Sequence, residues 1–571
     1  MRRIPRLQRW LASALTVLMA SGSLSGQLWT ASEEAIGPQA PGHLALQAVR
    51  PLCDGALVLT GDGDLYESLQ GLSTVRLDLP LPDGSLVSLH LQRRTVLAPG
   101  ARIVVGFADG DLEVDAPFAH FFAGDVAGAA ESLVVLGVTE DGIQGFLTFK
   151  GDTYSLSTGR YGSGLPLVVS SLADLPDDAI AWAPFECGVN ASMLPPASLG
   201  ETLGDGPRSD STCRIVEVAL DTDWEFTERF GGDTDASTAY ALLLMTANAE
   251  IYSRDFNIGL QVSYLRVWAD ANDPWDQGNM GDQLTQFRDY WQANMQDVDR
   301  HLAHYLSTRN LGGGVAWVSV ICNAPWSYSL AGNLAGYFPY PLVDHSSQNW
   351  DIFVTAHELG HNCGAPHTHD LDPPADGCGL GDCSNAYGGT IMSYCHGCSG
   401  GMRNIVLNFH ERIIDEKVLP YLRRQTCMEE LGTPLFLAQP QSAAVCPGLP
   451  VVFVANVSSS HPITYQWWKD GVELPGETGS QLVILEASVD DVGAYSLAVS
   501  NGCETVFSDE ATLSIDTLLG DLTLDGWVNQ DDLGFLLAYY EHSDGGDIDG
   551  DGDTDQSDLG LLLMNYGQTC Q

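Results

Sequence analysis

The chain has 571 residues, enough for several domains, and 44% of them are hydrophobic, enough to fill ordinary cores. Seventy-four acidic side chains against 25 basic ones leave a formal net charge of −49, and the only lysines are Lys150, Lys417 and Lys469. That balance excludes nucleic acid and anionic membranes as partners, because no basic footprint exists to meet phosphate.

Residues 1–30 read as a signal peptide. Arg2, Arg3, Arg6 and Arg9 precede an apolar stretch from Trp10 to Ala20, and the small residues Ser21-Gly22-Ser23 follow. The stretch is too short to span a bilayer and no later run is longer, so a secreted, extracellular chain without a transmembrane anchor is expected. Export suits the 13 cysteines, since disulfides form in oxidising compartments. Residues 31–210 are short β-type runs broken by glycine, such as Ser132-Leu-Val-Val-Leu-Gly and Gly145-Phe-Leu-Thr-Phe. They end in a linker from Pro195 to Ser211 in which Arg208 is the lone basic residue.

In residues 211–432 strand and helix alternate, which implies an α/β layered domain. Arg214-Ile-Val-Glu-Val-Ala-Leu alternates like a strand, Thr238 to Phe256 has helical spacing, and Leu260 to Trp268 alternates again. The stretch Asp351-Ile-Phe-Val-Thr-Ala-His-Glu-Leu-Gly-His then ends an amphipathic helix. His357 and His361 stand at i and i+4 on one face, so both imidazoles reach one ion. Glu358 lies beside them, placed to touch a metal-bound water. Gly364 turns the chain, and His367 arrives as the third ligand. Three neutral histidines leave zinc an open position for water, the mark of a catalytic site. Chance produces the five-residue motif in roughly one such protein per hundred, and the motif with Gly364 and His367 in a few per hundred thousand.

From 433 to 517 the helical signal vanishes. Tyr465 and Trp467 alternate ahead of the turn Lys469-Asp470-Gly471; Leu482, Ile484 and Leu485 supply another strand, and Asp491-Val-Gly-Ala-Tyr495 follows. Residues 518–571 repeat with a period of 26: Asp521, Thr523, Asp525, Gly526, Asn529 and Asp532 align with Asp547, Asp549, Asp551, Gly552, Asp555 and Asp558. Oxygen side chains at loop positions 1, 3, 5, 9 and 12, with glycine at 6, are what a calcium loop requires. An apolar helix follows each loop.

Several resemblances attach to these residues. The extended histidine motif, with Gly389-Thr-Ile-Met-Ser-Tyr394 after it, resembles the metzincin zinc peptidases over roughly Cys213 to Cys427. The resemblance implies zinc held by His357, His361 and His367, and Met392 as a hydrophobic floor beneath it. It also implies hydrolysis of protein or peptide substrates by a zinc-activated water, with Glu358 as general base. Leu311-Gly-Gly-Gly-Val-Ala-Trp-Val leading to Cys322 resembles the adamalysin (reprolysin) branch, which implies a Cys322–Cys427 disulfide. That branch places aspartate directly after the third histidine, whereas this chain has Thr368 and then, two positions on, Asp370. The Met392-Ser-Tyr394 spacing instead resembles astacins and serralysins, which implies a catalytic role for Tyr394 at the metal or the oxyanion.

Residues 31–210 take the place of a β-rich propeptide, and Gly145 to Tyr154 resembles a hairpin of reprolysin propeptides. Phe185-Glu-Cys187-Gly-Val-Asn resembles the cysteine switch of that family, in which a thiolate takes the open zinc position. The other reading is a Cys53–Cys187 disulfide. Parity permits eight cysteines from Cys213 to Cys427 to pair among themselves and Cys446 to pair with Cys503, leaving Cys53, Cys187 and Cys570. Residues 433–517 resemble an immunoglobulin-like sandwich with Trp467 as core tryptophan and Tyr495 at the tyrosine corner. Residues 518–571 resemble a dockerin, which implies two calcium ions and a cohesin-type partner. The expected chain is a multidomain, secreted zinc endopeptidase zymogen. The competing reading is a non-catalytic adhesion or scaffold protein acting through its last two modules.

Overall fold

The computed structural model describes residues 43–182, 185–189, 193, 213–341, 351–459, 463–474, 477–501 and 505–570, less Asp62 and Asp177. The expected signal peptide, Arg208 and Cys503 lie outside them. No helix among the described residues is long and apolar enough to cross a membrane.

The N-terminal strands are β1 (His43–Cys53), β2 (Ala56–Gly61), β3 (Thr74–Pro80), β4 (Leu86–Arg93), β5 (Leu97–Phe107), β6 (Gly110–Val114), β7 (His120–Val126), β8 (Ala129–Thr139), β9 (Gly142–Phe149), β10 (Asp152–Ser157) and β11 (Val168–Ser171). A short helix, α1 (Leu65–Ser68), joins β2 to β3. Nine strands close a barrel in the order β1-β2-β11-β10-β9-β8-β7-β4-β3, sealed by parallel pairing of β1 with β3. Leu77, Leu89, Phe122, Leu136 and Leu147 fill one core of this barrel. The β9–β10 hairpin turns at Lys150 and Gly151, whose φ angles of 54° and 85° are those of a type I′ turn.

Two barrel-region segments leave it. They join a second sheet built from β13 (Cys213–Thr222), β14 (Ile258–Trp268), β15 (Leu302–Leu306), β16 (Gly313–Ala316), β17 (Tyr328–Ala331) and β18 (Glu429–Leu431). The order is β12-β16-β17-β15-β13-β14-β5-β6, with β18 also on β13, where β12 is Glu186–Cys187. Strands from residues before 190 therefore cover both edges of this sheet. β5 runs parallel to β14, and Arg266 of β14 reaches Asp111 of β6 at 3.5 Å.

Helices α2 (Trp224–Glu228), α3 (Thr234–Phe256), α4 (Met280–Asn294) and α5 (Asp351–Asn362) complete this layer. α3 starts before the Thr238 expected from apolar spacing, because the Asp233 side chain accepts the Asp235 and Ala236 amides at 3.0 and 3.1 Å. It is buried nearly all round, since the sheet lies on one side and the barrel on the other. Gly137 of β8 meets α3 at Leu243. Beyond this layer, Phe453, Trp467, Tyr495 and Leu497 form the core of an all-β module. Two helices, Gln530–Tyr539 and Gln556–Asn565, pack at the C-terminus on Val528, Leu536 and Leu562.

Cys322 pairs with Cys427, as the resemblance implied, while Cys378 pairs with Cys395 and Cys383 with Cys398. Two expectations from parity fail. Cys570 is not left over but bonds Cys446, tying the C-terminal helices to the β module. Cys363, at the buried end of α5, is free although Cys213 is disulfide-bonded. Cys53 and Cys187 are both free, so the Cys53–Cys187 bond does not form.

Candidate active site

α5 is anchored at its first residue. The buried Asp351 carboxylate accepts the Ala335 and Gly336 amides at 2.8 and 2.9 Å and the Tyr240 hydroxyl at 2.7 Å. Burial pushes its pKa up to about 6 against these hydrogen bonds. The helix presents His357, Glu358 and His361, all fully buried. It stops at Gly364, whose φ is 92° and where a side chain would press on the Tyr421 ring. The chain then returns to bring His367 to the same place.

Each of the three imidazoles is oriented by its Nδ1. His357 Nδ1 lies 2.7 Å from the Ile391 carbonyl, His361 Nδ1 2.8 Å from the Ala365 carbonyl, and His367 Nδ1 3.2 Å from the Asp370 carboxylate. These acceptors hold a proton on Nδ1 and leave each Nε2 as the acceptor nitrogen, its lone pair available to a metal. The ring centroids stand 4.7 to 5.3 Å apart. Cys187 joins them: its Sγ is 3.4 Å from His361 Nε2. One donor atom from each of Cys187, His357, His361 and His367 lies within 4.8 Å of the others. His357 Nε2 and both Glu358 oxygens are buried without a hydrogen-bond partner among the described residues. Orphaned acceptors of this kind are costly unless a cation or water meets them, and a donor set of three imidazole nitrogens and one sulfur suits zinc.

Burial, then the neighbouring imidazoles, holds His357 and His361 well below the usual histidine pKa, and burial brings His367 down to about 4. All three are therefore neutral and ready to ligate. Burial pushes the Glu358 carboxyl up, which suits a group that accepts protons. Met392 is fully buried next to Gly360 of α5, and its carbonyl accepts the Thr368 amide at 3.1 Å. Tyr394 sets its hydroxyl 3.3 Å from His367 Nε2, with the rings 4.7 Å apart.

Several contacts were not read from the motif. Thr368 ties the His367 turn to the Met392 carbonyl, while Asp370, one helical turn on, faces His367. Their signal lay in the sequence as a displaced acid, but only the 3-10 turn Thr368–Asp370 brings it back to the ring. Asp370→Asn is expected to weaken zinc binding by about 10- to 100-fold in a chelator competition, and an unchanged affinity would detach Asp370 from the site. Phe185 is the second. Its ring stands 5.5 Å from Phe353, 5.6 Å from His357 and 5.1 Å from His396, sealing the apolar side of the cluster. The segment carrying Phe185 and Cys187 lies on the edge strand β16 in parallel register, Glu186 against Gly313 and Cys187 against Gly314. The Glu186 amide donates to Gly312, and the Gly188 amide to Gly314 at 2.8 Å.

Residues 212–406 match the metallo-peptidase family M12, in its Reprolysin_5 form. A "Zinc metalloproteinase/disintegrin" of Bitis gabonica is 25% identical over 206 residues, 34% of this chain and 60% of that protein. The chain thus spans less than two thirds of that relative's length. Together these matches support a reprolysin-like metallopeptidase, a family that uses zinc. Among solved structures, the Sidekick-1 immunoglobulin domains 1–5 are 20% identical over 14% of this chain and 18% of theirs, with a TM-score of 0.14. The tandem Ig repeats of Dlar are 18% identical over 15% of this chain and 49% of theirs, again at 0.14.

Proposed function

We propose that the chain is a secreted zinc endopeptidase made as a latent precursor. The observation that carries this reading is the convergence of donor atoms from His357, His361, His367 and Cys187 to within 4.8 Å of one another, with the buried Glu358 next to His357 on the same helix. His357, His361 and His367 would hold the metal, with Met392 packed beneath the helix that carries two of them. Zinc held there supplies Lewis acidity, polarising a carbonyl and acidifying water. Glu358 accepts the proton of the attacking water on its carboxylate and delivers it to the leaving amine. The Tyr394 hydroxyl, next to His367, donates to the oxygen on which charge develops. The Cys187 thiol excludes water until the segment 185–189 leaves β16.

The appended modules are read as binding units. The Tyr495 hydroxyl donates to the Asp491 carbonyl at 2.6 Å, and the Trp467 indole to Gly479 at 3.0 Å, which supports an immunoglobulin-like module. In both C-terminal repeats the first acid accepts the sixth residue's amide: Asp521 from Gly526, and Asp547 from Gly552. The twelfth accepts from the ninth: Asp532 from Asn529, and Asp558 from Asp555. This twofold identity supports calcium held by Asp521, Thr523, Asp525, Asn529 and Asp532, and by Asp547, Asp549, Asp551, Asp555 and Asp558, in a dockerin-like unit with a cohesin-type partner.

Metal analysis tests the whole reading. The purified chain should carry one zinc and two calcium ions. Removing zinc with phenanthroline should abolish casein cleavage by the processed protein, and zinc should restore it. Removing calcium alone should lower the melting temperature while leaving peptide hydrolysis intact. Cleavage that survives zinc removal would overturn the enzyme reading, and a melt indifferent to calcium would overturn the repeat's role.

A further inference from the structure

The run Gly312-Gly313-Gly314 lies where β16 passes the cluster, and its members meet different neighbours. Gly312 and Gly313 have φ angles of 99° and 142°, a conformation that favours glycine by itself. Gly314 lies in β16 outside that region, so its lack of a side chain answers a need for space. A Cβ at Gly313 would stand 2.9 Å from the main-chain N and C of Glu186, on the β12 side. A Cβ at Gly314 would stand 2.6 Å from Glu358 Cγ and 2.7 Å from its Cδ, and would overlap Oε1.

We propose that Gly314 is the positioning residue for Glu358: the bare edge-strand backbone is the wall against which this carboxylate is set. With the segment 185–189 in place Glu358 is fully buried, so in the full chain it has no open space into which to retreat. Its side chain lies against β16 at Gly314, with the Cys187 thiol beside it. A methyl group at 314 therefore moves the carboxylate and leaves the three imidazoles, oriented from other carbonyls and Asp370, where they are. The inference rests on Glu358 as the general base, and its tests separate the two.

Gly314→Ala is expected to bind zinc like the parent while kcat of the processed protein falls about 100-fold, the cost of displacing a reacting group by roughly an ångström. Adding Glu358→Asp, one methylene shorter, should make the combined loss smaller than the product of the two single losses. A second measurement needs no activity. In the metal-stripped full chain, Gly314→Ala should lower the melting temperature by about 2–10 °C. In a Glu358→Ala background the same change should cost less than about 1 °C, because the crowded atoms are gone. Gly313→Ala, which faces Glu186, should cost the same in both backgrounds. Equal costs of Gly314→Ala in the two backgrounds would overturn the proposal even if the chain is a protease. Coupled melting in a chain without peptidase activity would keep the contact and overturn only the role of Glu358.

Discussion

Glu358→Ala is expected to retain zinc and lose peptide hydrolysis. The carboxylate follows His357 on the helix but lies outside the donor set, whose three histidines remain to hold the metal when Cys187 leaves. Removing it deletes the group that takes the proton of the attacking water and returns it to the leaving nitrogen. General acid–base catalysis of this kind contributes roughly 10²- to 10⁴-fold, and one residue serving both transfers puts the loss at the upper end. The loss should fall on kcat, with zinc stoichiometry and the zinc-dependent rise in melting temperature unchanged. Burial explains why alanine is tolerated: the parent places a carboxyl group at zero exposure, so its removal relieves a desolvation cost. Parent-like turnover would sink the mechanism. Loss of zinc along with activity would instead make Glu358 a ligand.

What the sequence made legible was local. The i, i+4 spacing of His357 and His361, and a glycine three residues later, specify a helix and a turn from nearest neighbours alone. The structure brings His357, His361, His367 and Cys187 together. α3 shows the limit of periodicity. Its first turn, Thr234 to Ser237, carries no apolar stripe, and the helix begins there because Asp233 caps it. Other features depend on pairing across the chain. Leu97 to Val114 is another apolar run broken by glycines like the strands around it, and nothing in its composition says that it leaves the barrel for β14. The choice lies in the partner: Arg102 stacks on Tyr264, and Gly106 leaves room for the Trp268 ring. The Cys446–Cys570 bond was hidden for the same reason, since cysteine counts fix parity and not connectivity. The place of Asp370 beside His367 required the 3-10 turn, which a sequence with Thr368 in the usual acid position does not announce.

Cys187→Ala is expected to give the unprocessed chain activity that the parent precursor lacks. Three contacts hold the segment 185–189 over the cluster: pairing of its backbone with β16, the Phe185 ring against Phe353 and His396, and the thiol among the imidazoles. Only the thiol meets the metal position, so its loss admits water while the strand stays paired. The precursor should then open often enough to cleave a short quenched peptide at least about tenfold faster, the change that about 1.4 kcal/mol of lost closure yields. Phe185→Ala added to Cys187→Ala should raise the rate further, because the ring anchors the same segment. An organomercurial should activate the parent and leave Cys187→Ala unchanged. Cys53 and Cys363, the other free thiols among the described residues, remain in that variant and so serve as its control. A Cys187→Ala precursor as silent as the parent would mean that strand pairing alone enforces latency. Latency by pairing predicts instead that Glu186→Pro, which removes the amide that donates to Gly312 at 3.2 Å, releases the segment with Cys187 intact.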